Sequence, residues 1–215
     1  MGIAAHLLAH PEALLGLPLL LAVVFMTWYV QSADQETPVR VNAAAGRQNI
    51  FYTGIYSPGD KDGLTSMEQV NHYQQQYNTH FNILSLYIPW GDAPGCFIDD
   101  SLVNAIYKNG SLPMITWEPW AKLFGSSAAD SSLKHEQKIF AHISSGSFDQ
   151  YLYRFSNQVK SLHRPVYIRF AHEADNPAYP WSKTGNNTPE EFKAAWKYVY
   201  QFFNRNGATN VIWVW

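Results

Sequence analysis

The chain has 215 residues, 47% of them hydrophobic and 15% aromatic, which is enough apolar surface for one domain with a sizeable core and too much for a disordered chain. Its formal net charge is −2 and no run of Lys or Arg exceeds a pair, so nucleic acid is excluded as a partner on electrostatic grounds. The single cysteine, Cys96, has no second thiol for a disulfide or a thiolate metal site and is assigned to packing.

The first predicted element is apolar. Residues 14–30 carry no charge and are followed at once by Gln31, Ser32 and Asp34. As a helix this run spans roughly 25 Å, with Trp28 and Tyr29 placed as interfacial anchors, so residues 1–30 are expected to be a membrane segment. No Lys or Arg precedes the run, which argues against a cleavable signal peptide. The expected location is therefore membrane-anchored with the remaining domain extracytoplasmic, although Arg40 and Arg47 alone would nominally hold that side in the cytoplasm. Residues 31–48 read as a polar linker.

From residue 49 to 215 short β-branched or aromatic runs alternate with helical patterns, which predicts a parallel α/β sheet. The predicted strands are 49–56, 81–90, 112–118, 165–171 and 211–215, with helices near 66–78, 99–108, 135–162 and 188–205. Asp99 or Asp100 with Ser101 caps the second helix, Asn109-Gly110 ends it, and Thr188-Pro189-Glu190-Glu191 opens the fourth. The Ser-, Gly- and Ala-rich stretch 120–147 is expected to lie as a loop over the site.

An open doubly wound sheet and a closed (β/α)8 barrel both accept this alternation. No G-x-G-x-x-G turn follows Tyr56, which weakens the nucleotide-binding option. Chemistry instead gathers where the fourth strand ends: Arg169, His172 and Glu173 cluster at the carboxyl end of a strand whose Val166, Ile168 and Phe170 are apolar, and Tyr179 and Trp181 come next. Trp90, Trp117, Trp120, Trp181 and Trp215 all lie at or just past strand carboxyl ends, the active face of a barrel. Indoles stack on the C–H faces of pyranose rings, so this rim is expected to wall a sugar-binding cleft. A structural Arg169–Glu173 ion pair is the plain alternative for the central motif.

Three segments, TWEPW at 116–120, RFAHEADNPAYPW at 169–181 and VIWVW at 211–215, resemble the family 26 glycoside hydrolases, the group that contains endo-β-1,4-mannanases. The resemblance covers roughly residues 50–215 and implies a (β/α)8 barrel of which this sequence supplies about five β/α units. It implies Glu173 as general acid/base at the end of strand four, with Arg169 and His172 shaping the sugar site and Tyr179 and Trp181 lining the cleft. The family's nucleophile is a Glu on strand seven, beyond the fifth strand reached here, so the chain is expected to be part of a longer polypeptide and inactive alone. Asn176 and Ala178 stand where the family shows Gly and an aromatic, which leaves the β-glycan open between mannan, mixed-linkage glucan and xylan.

The chemistry is consistent with that implication. Retaining cleavage needs a protonated carboxyl at the leaving oxygen, favoured by apolar neighbours, and an ionised carboxylate about 5–5.5 Å away. Glu118 at the end of strand three shares a wall with Glu173 and is expected to bind a sugar hydroxyl, while Trp90, Trp117 and Trp120 are expected to line the cleft against sugar rings. His172-Glu173 does not extend to H-E-x-x-H because position 176 is Asn, so no metal and no cofactor is expected. The rival reading is a membrane-tethered, non-catalytic carbohydrate-binding module.

Overall fold

The structure is a computed structural model that describes residues 51–56, 64, 66–125 and 130–215. The predicted membrane segment and the 31–48 linker lie outside these residues. Among the described residues no helix is long and apolar enough to cross a membrane.

Five strands form one parallel sheet in sequential order: β1 Gly54–Ile55, β2 Ile83–Pro89, β3 Leu112–Glu118, β4 Val166–Phe170 and β5 Val211–Val214. Sequential order separates the two candidate architectures. A doubly wound sheet reverses its strand order at a switch point, whereas neighbours added in one direction with crossovers of one hand put every helix on the same face, as in a barrel wall. β1 is far shorter than the expected strand. Only Gly54 and Ile55 pair with β2, and Phe51 and Tyr52 stand exposed ahead of them.

The helices are α1 Glu68–Gln76, α2 Asp100–Lys108, α3 Ser131–Lys134, α4 Ile139–Ser144, α5 Asp149–Ser161 and α6 Pro189–Asn206. Their ends follow local chemistry. Asp99 caps α2 by accepting from the backbone N–H of Ser101 and Leu102 at 2.8 and 3.2 Å. Thr188 and Glu191 close a reciprocal capping box on α6, and Lys138 reaches Glu191 at 3.0 Å. The single helix expected over 135–162 is broken in two. Gly146 takes φ +87°, and a Cβ there would press on Tyr198 Oη and Asp149 Oδ2 at 3.1 and 3.2 Å, so the chain turns between α4 and α5. α3 is a further turn of helix within the stretch expected to be loop.

Strand parity sorts the sheet into two faces. Leu84, Leu86 and Ile88 of β2, Ile115 and Trp117 of β3, and Val166, Ile168 and Phe170 of β4 are all buried in the core against the helices. The opposite face carries Tyr87, Thr116 and Arg169, which share one register row with Val214.

Parity corrects the expected tryptophan rim. Trp90 continues the even-numbered series of β2 and Trp117 the odd-numbered series of β3, and both are 0% exposed. Their ring centroids lie 4.6 Å apart, and Phe155 stacks on Trp117 at 4.4 Å. The Trp117 indole donates to Tyr151 Oη at 3.0 Å, inside the helix layer. Trp215 stays at the rim: it is 77% exposed and packs on Trp196 and Phe192. Trp117→Ala is expected to cost about 3–5 kcal/mol in urea unfolding, as for a large buried aromatic, while Trp120→Ala costs about 1 kcal/mol or less. Equal small losses at both positions would contradict this assignment.

Candidate active site

The site begins where β4 ends. Ala171 and Glu173 both adopt left-handed backbone, φ +47° and +50°, on either side of His172. Non-glycine residues seldom take this conformation, at a cost of order 1–3 kcal/mol each, and keep it only where the surroundings enforce it. The enforcing bonds are local. Ala171 N–H donates to Trp117 O at 3.0 Å, Trp181 Nε1 donates to His172 O at 2.8 Å, and Asn176 N–H donates to Glu173 O at 2.9 Å. The double turn buries the His172 side chain, which is 3% exposed, and leaves Glu173 open to solvent.

The loop that follows is pinned from below. Asn187 is buried and donates to the carbonyls of Pro180, Ser182 and Gly185, while its Oδ1 accepts from Phe140 N–H at 3.2 Å on α4. Gly185 has no alternative residue, because a Cβ there would collide with Pro180 O at 1.8 Å and Glu136 O at 2.7 Å. Trp181, expected in the cleft, is 0% exposed; it backs the wall and stacks on Tyr179 at 4.5 Å. Tyr179 is the residue presented in front of it.

Arg169 does not pair with Glu173. Its Nε and Nη2 donate to Thr116 Oγ1 at 3.1 and 2.8 Å, and Nη2 also donates to Tyr87 Oη at 3.2 Å. The Glu173 carboxylate accepts instead from Asn176 Nδ2 at 2.7 Å. Glu173 is thus exposed and amide-bound, where an apolar enclosure was expected. Glu118 accepts from Trp120 Nε1 at 3.2 Å and approaches His172 Nε2 at 4.0 Å. Trp120 is half-buried, edge-on to Trp181, with Lys122 Nζ 4.6 Å from its ring centroid.

Of the predicted site residues, Arg169, His172, Glu173, Tyr179, Glu118 and Trp120 therefore come together, while Trp90 and Trp117 belong to the core. Tyr87, Thr116 and Asn176 join them unanticipated. Period-two alternation would have found the first two, since Thr116 shares parity with Glu118 on β3 and Tyr87 alternates with the buried Leu84, Leu86 and Ile88 on β2. A cavity of about 940 Å³ runs from Arg169, His172 and Glu173 to Phe192, Trp196 and Trp215. That volume lies in the range of small-ligand sites. Among the described residues no cluster of His, Cys, Asp or Glu is placed to hold a metal ion.

Burial, and then the neighbouring Arg169 guanidinium, push the His172 imidazole below its ordinary range, with Glu173 pulling weakly the other way. Tyr179 is pushed up by burial and by the Glu173 and Glu118 carboxylates. For a histidine depressed in the folded state the unfolded chain binds the proton first, so the stability contribution is complete above the unfolded value of about 6.5 and is lost as pH falls below it. Thermal melts from pH 7.5 to 5.5 are expected to show a decline, limited to about 1.4 kcal/mol per pH unit for one proton, that is flatter in His172→Gln. Parallel slopes in the two proteins would rule His172 out as its source.

Comparisons with known proteins agree with this geometry. The family model for glycosyl hydrolase family 26 matches residues 99–215, more than half of the chain. Endoglucanase H of Acetivibrio thermocellus is 30% identical over 173 residues, covering 75% of this chain and 17% of that protein. Among solved structures, Bacillus subtilis mannanase man26 has a TM-score of 0.50 at 19% identity, covering 69% of this chain and 51% of its own. The GH26 domain of a Prevotella bryantii endo-beta-mannanase/endo-beta-glucanase has a TM-score of 0.50 at 14% identity, covering 77% of this chain and 58% of its own. These two likenesses concern the fold. The chain spans little more than half the length of those structures and a small part of Endoglucanase H. On the family match across β3, β4 and β5, the chain belongs to glycosyl hydrolase family 26.

Proposed function

We propose that this chain holds the amino-terminal part of the catalytic barrel of a hydrolase that cleaves a β-linked polysaccharide, with Glu173 as the general acid/base. The observation that carries the reading is the turn after β4, where two left-handed residues flank a buried His172 and present Glu173 at the mouth of the cavity. Arg169, His172, Tyr179, Glu118 and Trp120 supply hydrogen-bonding groups and one partly exposed indole around it. A carboxyl reaching the glycosidic oxygen from this position donates a proton as the bond breaks and recovers one from the water that completes the reaction.

In this reading the ionised partner carboxylate lies outside this chain. Glu118 sits on the strand next to β4, on the same wall as Glu173, and accepts from Trp120 Nε1, which suits it to a sugar hydroxyl better than to attack from the opposite ring face. Retention follows from the family resemblance, and the chain alone is expected to bind glycan without cutting it. The substrate is β-mannan or a related β-glycan: Endoglucanase H and the mannanases divide between two backbones, and Asn176 occupies the place of the family's glycine. A second reading, a membrane-tethered, non-catalytic carbohydrate-binding module, is supported by the partly exposed Trp120 indole beside hydrogen-bonding side chains. Residues 14–30 are proposed as the membrane anchor on the strength of their uncharged run alone.

The test uses a polypeptide extended to the full family domain, assayed for reducing-sugar release from β-mannan and mixed-linkage β-glucan. Glu173→Gln is expected to lower kcat on the cleaved substrate by roughly 100-fold or more with little change in affinity. Near-normal turnover in that variant would remove Glu173 from the role of acid. Binding with no release by the extended wild type would favour the module.

A further inference from the structure

His172 has two ring nitrogens in unlike settings. Nε2 lies 3.0 Å from Tyr179 Oη, and Nδ1 is buried with no hydrogen-bond partner among the described residues. A proton on Nδ1 would be a buried donor with nothing to receive it, whereas a lone pair there loses far less by being unpaired. The tautomer with the proton on Nε2 is favoured on that ground by roughly tenfold or more. Tyr179 Oη must then accept from His172, and its own proton is released for another partner.

We infer that His172 and Tyr179 form a hydrogen-bond relay of fixed polarity, His172 Nε2–H to Tyr179 Oη, which makes the Tyr179 hydroxyl a donor aimed at an acceptor oxygen of a bound β-linked sugar. The choice of a sugar as acceptor rests on the function proposed above; the polarity of the relay does not.

The surroundings keep both rings in place. Tyr179 stacks on Trp181 with planes 15° apart, and Trp181 in turn holds the His172 carbonyl at 2.8 Å. Tyr87 meets the imidazole edge-on at 5.7 Å. The charged and titratable groups facing His172 are Tyr87 from β2, Glu118 from β3, Arg169 on β4, and Glu173 and Tyr179 from the loop. Burial and Arg169 keep the imidazole neutral at neutral pH, so its 4.0 Å approach to Glu118 is not an ion pair there. Protonating His172 would place a second N–H in a pocket with no acceptor among the described residues, so the relay persists to a pH below the ordinary histidine value.

Tyr179 is a positioning and specificity residue in this scheme, since it touches ligand but transfers no proton. The test is made on the 215-residue chain itself. Long-range 15N spectra are expected to show His172 with a protonated Nε2 and a bare Nδ1 at pH 7, retained in Tyr179→Phe, which keeps the ring that stacks on Trp181. Calorimetry with a β-1,4-mannan tetrasaccharide and a mixed-linkage β-glucan tetrasaccharide is expected to give about tenfold weaker binding of the preferred sugar to Tyr179→Phe than to the wild type. A proton on Nδ1, or a charged ring at pH 7, would overturn the relay. Equal affinities would overturn the donor role. If neither sugar binds the wild type while the Nε2–H tautomer is seen, the relay stands and the polysaccharide reading fails.

Discussion

The pairing register of β2, β3 and β4 governs everything in this molecule. Tyr87, Thr116 and Arg169 occupy one row, so the guanidinium meets a hydroxyl on the neighbouring β3 and a second one strand further, on β2. Shifting β4 by a single residue would put Phe170 in the groove and Arg169 among Ile115, Trp117 and Phe155. A charge in that aromatic layer would have no acceptor, and its desolvation would exceed what the remaining pairing returns. The register is therefore specified from both faces, by apolar packing on one and by the bonds of Arg169 on the other.

The same parity converts position along a strand into chemistry. On β4 the outward set is Val166, Ile168 and Phe170, which is ordinary core. The strand could have ended there with a helix beginning. Instead the backbone turns twice into the left-handed region, and the cost is offset by bonds from three directions: the β3 backbone, the Trp181 indole and the Asn176 amide. Trp181 can reach back because the loop carrying it is tied to Asn187 and passes over Gly185 with no room for a side chain. Strain at the site and rigidity in the loop are parts of one arrangement.

This explains what could be read in advance. The cap at Asp99, the capping box at Thr188 and the α/β alternation are signals carried by neighbouring residues, and each appears where its residues stand. The motif at 169–173 was legible because an Arg, a His and a Glu gathered at the carboxyl end of an otherwise apolar strand serve no packing purpose. The tryptophans misled because distance along a strand was weighed without its parity. Trp90 and Trp117 are rim residues by position and core residues by side, and the even and odd series that show it were present in the sequence. Asn176 and Asn187 were not legible at all, since their partners are set by how the loop folds back. Helix 135–162 failed at Gly146, where a packed neighbour, Tyr198, lies 49 residues from the Asp149 it bonds.

The charge arrangement of the site follows from one neutral ring. Glu118 and Glu173 bring two carboxylates to the mouth, and Arg169 brings one guanidinium that is already held by Thr116 and Tyr87. A protonated His172 would balance the second carboxylate and close Glu118 into an ion pair. Burial and the nearby guanidinium oppose that proton, so the pair is not formed at neutral pH. With Glu173, Asp175 and nearby Glu118 set against Lys183 and an Arg169 already held by Thr116 and Tyr87, acceptors outnumber cations, and the site is poorly matched to phosphate or carboxylate ligands. It is well matched to a neutral molecule rich in hydroxyl donors, whose protons the carboxylates can take up as hydrogen bonds without any change of net charge.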